Sequence, residues 1–164
     1  MVHIEAPPGA LGHMWNGTPA LSIVEDFIGR LSELARVRAV VAIGSRVRGG
    51  WRPWSDIDLV IVCDEHIGPH LPKLRHLGTI DPKPYTPKGL LEGILRCDVE
   101  LVEAFEEGLV LYDDGLWADM RVLYERVKTV LGVEKYGPGW RIRRKVPPEE
   151  LARAVRRGAE ELAR

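Results

Sequence analysis

Two short, mostly apolar runs, residues 37–43 and 56–63, the second almost wholly apolar after its first three residues, constrain this chain more than any other feature. Each is rich in Val or Ile and bounded by Gly, Ser or charged residues, the pattern of a strand buried on both faces. Two such strands demand cover on both sides of a sheet, and the flanking sequence supplies it. Leu21, Val24, Phe27, Ile28, Leu31 and Leu34 recur at helical spacing behind Thr18-Pro19, a hydroxyl cap followed by a first-turn proline. Thr86-Pro87 repeats that signal ahead of Leu90, Leu91, Ile94 and Leu95. Leu116, Met120, Leu123, Val127 and Val130 mark a further amphipathic helix. A third strand is expected at residues 98–102 and a short apolar piece at 109–112. Helices alternating with buried strands make the class α/β.

Three segments fall outside this pattern. Residues 1–17 are rich in Gly and Pro without periodicity and are expected to form a loosely ordered arm before a domain spanning 18–131. Residues 64–85 carry four prolines and predict a long excursion with one helical turn near 71–77. Residues 132–164 predict a Gly/Pro/Arg linker, with the basic run Arg141-Ile142-Arg143-Arg144-Lys145, and a helix from Pro148 carrying Leu151, Val155 and Leu162. So thin a stripe must dock on something, most simply a second copy in a homodimer, with its own domain as the near alternative.

Composition closes off several classes. A net charge of −1, from 23 basic and 24 acidic residues, offers no global field toward nucleic acid. No membrane-length apolar run exists, and the N-terminus lacks the basic start and apolar block of a signal peptide. The only cysteines, Cys63 and Cys97, lack metal-ligand spacing, and reduced thiols in a cytoplasmic protein are the simplest expectation. With 17 Arg against 6 Lys, Asn16 as the only Asn and no Gln, the chain also fits a thermophile source.

The chemistry concentrates between residues 43 and 60. Gly44-Ser45 follows a buried strand directly and precedes Arg46 and Arg48, an arrangement that can leave backbone amides free to hold a phosphate. Asp56 and Asp58, two apart in a strand, project from one face and repel unless a cation neutralises them; Mg²⁺ with substrate phosphates is the usual occupant. Either feature alone is commonplace, a strand break or a strand-entry cluster. Together, at the mouth of an interior strand where unpaired charge is costly, they point to a site. Trp51 and Trp54 can stack on a base or simply pack.

On Gly44, Ser45, Arg46, Arg48, Gly49, Ser55, Asp56, Asp58 and Leu59 the chain resembles the DNA polymerase β-like nucleotidyltransferase superfamily, in particular its small stand-alone members. Those show hydrophobic-Gly-Ser-x-x-x-Gly and then Ser-Asp-x-Asp-Leu on the next strand. The resemblance implies a small mixed β-sheet flanked by helices, here with an extra C-terminal helix. It implies a third carboxylate between hydrophobic residues on a later strand. Val99-Glu100-Leu101 fits, and Glu100 is preferred to Asp98, which lies nearer the preceding helix end.

The implied reaction is attack of an acceptor hydroxyl on the α-phosphate of ATP or another nucleoside triphosphate. Two Mg²⁺ ions would be held by Asp56, Asp58 and Glu100, and the nucleotide by Gly44, Ser45, Arg46, Arg48 and Ser55. Stand-alone members frequently act as antitoxins that transfer AMP to a HEPN-domain partner. The alternative is a non-catalytic module that binds a nucleotide or a partner through the same fold. A metal-dependent glycosyltransferase using Asp-x-Asp would leave Gly44-Ser45 unexplained.

Overall fold

A computed structural model describes residues 2–74 and 79–162, with side chains to residue 157. The two apolar runs become β1 (Val37–Ile43) and β2 (Ile57–Cys63), antiparallel neighbours at the centre of a four-stranded sheet. β4 (Leu109–Asp113) pairs antiparallel with β1, and β3 (Ile80–Tyr85) pairs parallel with β2, giving the order β3-β2-β1-β4. The sheet is therefore mixed.

Side-chain alternation divides the core into two layers. Val40, Ala42, Leu59 and Ile61 face α1 (Ala20–Ser32), whose Val24, Phe27, Ile28 and Leu31 are buried at helical spacing, and the short α3 (Leu71–Leu74). Val41, Ile43, Val60 and Val62 face α4 (Pro87–Arg96), α5 (Val99–Glu107) and α6 (Leu116–Leu131). Here Phe105 stacks on Trp117 and Tyr124, with ring centroids 4.1 and 4.8 Å away. Thr86 caps α4 as expected, its Oγ1 accepting the Gly89 amide at 3.0 Å. Thr18 does not cap α1: Pro19 occupies that position without a side-chain bond.

Several further expectations need correction. Residues 98–102 are not a strand but open α5, after Cys97, at φ +53°, ends α4. Leu101, Val102, Ala104 and Phe105 are buried, a helical repeat that a five-residue window is too short to reveal. Residues 80–85, read as part of an excursion, form β3; the expected turn continuing to residue 77 lies partly outside the described residues. β3 is an edge strand, where Pro82 and Pro84 are tolerated because one rim needs no ladder donors. The N-terminal arm is pinned rather than loose: Leu11 and Met14 are buried, and the Glu5 amide bonds the Leu111 carbonyl at 3.0 Å.

The expected linker contains a hairpin, β5 (Val133–Tyr136) with β6 (Gly139–Ile142). It leads into α7 (Pro148–Leu162), whose Leu151 and Val155 are buried in the same layer as α4 and α6. The chain's own helices thus cover these two positions, without a second copy. Leu162 lies outside the side chains described. Among the described residues no helix is long and apolar enough to cross a membrane.

Candidate active site

β1 ends at Ile43, register neighbour of Asp58 on β2, and the chain turns away through Gly44. Gly44 has φ +85°, a conformation that favours glycine, and a Cβ there would lie 2.4 Å from Asp58 Oδ2. The glycine therefore both permits the turn and makes room for the carboxyl. The short α2 (Ser45–Arg48) follows, with the Val47 and Arg48 amides bonded back to the Gly44 carbonyl. The amides of Ser45 and Arg46, which open this turn, take no protein acceptor among the described residues.

On the other side of β2, Asp58 is in register with Asp81 of the parallel β3. Register partners in a parallel pair share a face, here the one carrying Val60 and Val62, and the two carboxyls lie close enough to hydrogen-bond when Asp58 is protonated. Burial, the bond to Asp81 and the charge of Asp81 push Asp58 up to about 6, against a smaller downward pull from Lys83. Two carboxyls this close repel when both are charged, and a cation at the pair relieves that repulsion. Lys83 places Nζ 2.9 Å from Asp81 Oδ2. Next along this face, the Tyr85 hydroxyl donates to Glu100 Oε1 at 2.5 Å and approaches Asp98 Oδ2 at 3.4 Å. Burial and then the bond to Glu100 raise the Tyr85 hydroxyl far above its ordinary value.

The residues expected from the sequence divide accordingly. Gly44, Ser45 and Asp58 come together at the end of the sheet. Asp56 stands exposed just before β2, close enough for its charge to act on Asp58. Glu100 is on a helix, clamped by Tyr85 rather than standing on a strand beside Asp58. Arg46, expected to reach a phosphate, turns inward instead. It is buried and gives its guanidinium protons to the carbonyls of Leu11, His13, Arg52, Pro53 and Ser55.

Arg48 is exposed and ion-paired with Glu103. The Ser55 hydroxyl accepts the Arg52 amide at 2.9 Å, closing the turn before β2. Trp51 packs against His13 and the Arg46 guanidinium, whereas Trp54 is 70% exposed. Asp81 and Lys83 were missed. The available signal was a period of two, Asp81-Lys83-Tyr85 against Ile80-Pro82-Pro84, disguised by the prolines.

As the side chains stand, no three Asp, Glu, His or Cys groups among the described residues converge on one point. Asp58 and Asp81 nonetheless form a hard, all-oxygen donor pair held together by register, with the exposed Asp56 close by, which suits Mg²⁺.

A family model described as nucleotidyltransferase domain matches residues 24–113, from within α1 to the end of β4. The chain belongs to this family. The match spans more than half of the nucleotidyltransferase and includes the turn at Gly44, β2 with Asp58, and β3 with Asp81. Comparison with curated proteins gives no match. Among solved structures, a toxin–antitoxin complex with AMP-PNP is similar at 17% identity and TM-score 0.43, covering 66% of this chain and 92% of the other. A mutant of the MntA–HpeT toxin–antitoxin is similar at 16% identity and TM-score 0.42, with the same coverage.

Proposed function

We propose that this nucleotidyltransferase moves AMP from ATP onto a hydroxyl acceptor, releasing pyrophosphate. The reading is carried by the Asp58–Asp81 pair, forced together by strand register beside the Gly44 turn. Asp58 and Asp81, with Asp56 at the lip, would hold Mg²⁺, two ions in the mechanism that the sequence resemblance implies. When bound, the metal supplies charge neutralisation for the triphosphate and lowers the pKa of the acceptor hydroxyl.

The chain's own groups do the rest. The Ser45 and Arg46 amides donate to the phosphates furthest from the reacting one, as the opening of a glycine turn can. Asp81 accepts the proton from the hydroxyl as its oxygen bonds the α-phosphorus and the bond to pyrophosphate breaks. Trp54, exposed two residues before Asp56 and flanked by the Arg52 guanidinium, offers a face for the base. Asp81 thus takes the role that the resemblance implied for Glu100.

The acceptor to test first is a hydroxyl on a HEPN-domain protein, the partner implied by the sequence resemblance, which would make this chain an antitoxin. Incubation with ATP labelled at the α-phosphate, Mg²⁺ and that acceptor should transfer label, and Asp58→Asn should abolish transfer. ATP binding without transfer to any hydroxyl acceptor would favour the non-catalytic binding module instead.

A further inference from the structure

The edge strand sets one cation against the acidic pair. Lys83 follows Asp81 by two residues in β3, so both side chains leave the same face. Its ammonium bonds Asp81 and lies within electrostatic reach of Asp58 on β2 and of Glu100 on α5. Among the described residues Asp81 is its only salt-bridge partner. Glu100 is anchored separately, since Tyr85 donates to Oε1, and Oε2 has no protein donor among the described residues.

Resting on the nucleotidyltransferase reading of Asp58 and Asp81, we infer that Lys83 is a built-in counter-cation of that pair, exchangeable for a divalent ion, and that Glu100 receives its ammonium on exchange. Register keeps the two carboxyls on one face beside each other, so a positive charge there relieves their repulsion between turnovers. A lysine serves because its charge is compact and its four-carbon stem flexible, unlike the rigid fork of an arginine. A divalent ion entering the pair must displace that ammonium, and a fixed carboxylate with a free oxygen on the neighbouring helix gives it a place to go. Tyr85 is then a positioning residue, holding Glu100 ready. Free metal ions bind weakly against this competition, whereas an ion arriving with a triphosphate brings further contacts at the Gly44 turn. Lys83 thereby favours the metal–nucleotide complex over the metal alone.

The test is calorimetric titration of Mn²⁺ into the full, nucleotide-free chain. Lys83→Met should bind Mn²⁺ about tenfold tighter than wild type, the repulsion between two cations being removed. Lys83→Arg, which keeps the charge, should not tighten binding. Glu100→Gln should weaken binding about threefold in the wild type and change nothing beside Lys83→Met, a non-additivity that a merely structural Glu100 would not produce. Equal Mn²⁺ affinity in wild type and Lys83→Met, or an undiminished Glu100→Gln effect in the double variant, overturns the inference.

Should Lys83→Met fail to fold, Lys83→Gln carries the same expectations. Asp58-dependent binding in the wild type without tightening in Lys83→Met or Lys83→Gln sinks this inference alone. No binding of Mn²⁺ by wild type, with or without ATP, sinks the nucleotidyltransferase reading with it.

Discussion

The turn from Gly44 to Ser55 and the edge strand β3 meet at the same acidic pair, yet their cations are held in opposite ways. Arg46 is buried and spends its guanidinium on backbone carbonyls from the N-terminal arm and the turn itself. Those acceptors are neutral and fixed, so the arginine acts as scaffold. Lys83 keeps its side chain 29% exposed and rests on a carboxylate. That partner can be neutralised by another cation, so the lysine can be displaced. One region supplies rigidity to the site and the other supplies exchangeable charge.

The strongest way to break this comparison is at the carboxylates. Asp81→Asn and Asp58→Asn should each cut nucleotidyl transfer about a thousandfold or more, on the order of 4 kcal/mol of transition-state stabilisation. Glu100→Gln should cost about tenfold or less in the same labelled-ATP assay. A Glu100 variant more damaging than Asp81→Asn would return the third carboxylate to α5.

Stability should separate the two cations next. Arg46→Met strands five carbonyls and should cost about 4 kcal/mol, roughly 10 °C in Tm for a chain of this size. Lys83→Met should stay within about 1 kcal/mol of wild type, as exposed pairs generally do. Thermal and denaturant melts of both variants decide it, and equal losses would mean that Lys83 is scaffold too.

Gly44→Ala tests the contact between the regions. With φ at +85° and the added Cβ against Asp58, it should cost about 2 kcal/mol and weaken binding of ATP with Mg²⁺ in a thermal-shift assay.

The smallest effect expected is on pH dependence. The folded-state pKa of Asp58, about 6, is above the ordinary carboxyl value of 3.8, so the folded protein binds more protons than the unfolded chain between those values. This contribution therefore favours folding at low pH and is lost as pH rises through about 6. In metal-free protein, Asp58→Asn should gain stability relative to wild type from pH 4 to pH 7, by about 1 kcal/mol once solvent screening of the carboxyl is allowed for. Saturating Mg²⁺ should erase the difference, with proton release on binding as the second readout.

What the sequence determined by itself is local. The apolar runs of β1 and β2, the helical spacing in α1, α4 and α6, and the Thr86 cap each depend on residues within a turn or two of one another. Gly44 before Ser45 and the acid at position 58 were legible for the same reason: turn chemistry and strand alternation act between near neighbours. The misreadings arose where the deciding partner is distant. Arg46 looks like a phosphate ligand until Leu11, 35 positions earlier, offers its carbonyl. Residues 80–85 look like a loop because prolines oppose a strand, and only an edge position beside β2 makes them acceptable. Residues 98–102 fit a strand or a helix until Leu101 and Phe105 pack into the layer with Trp117 and Tyr124. Asp81 becomes the partner of Asp58 only through the β2–β3 register, which brings together residues that carry no local mark of each other. The tertiary structure decided those pairings because the free energy of a buried charge or a sheet edge depends on what lies across from it.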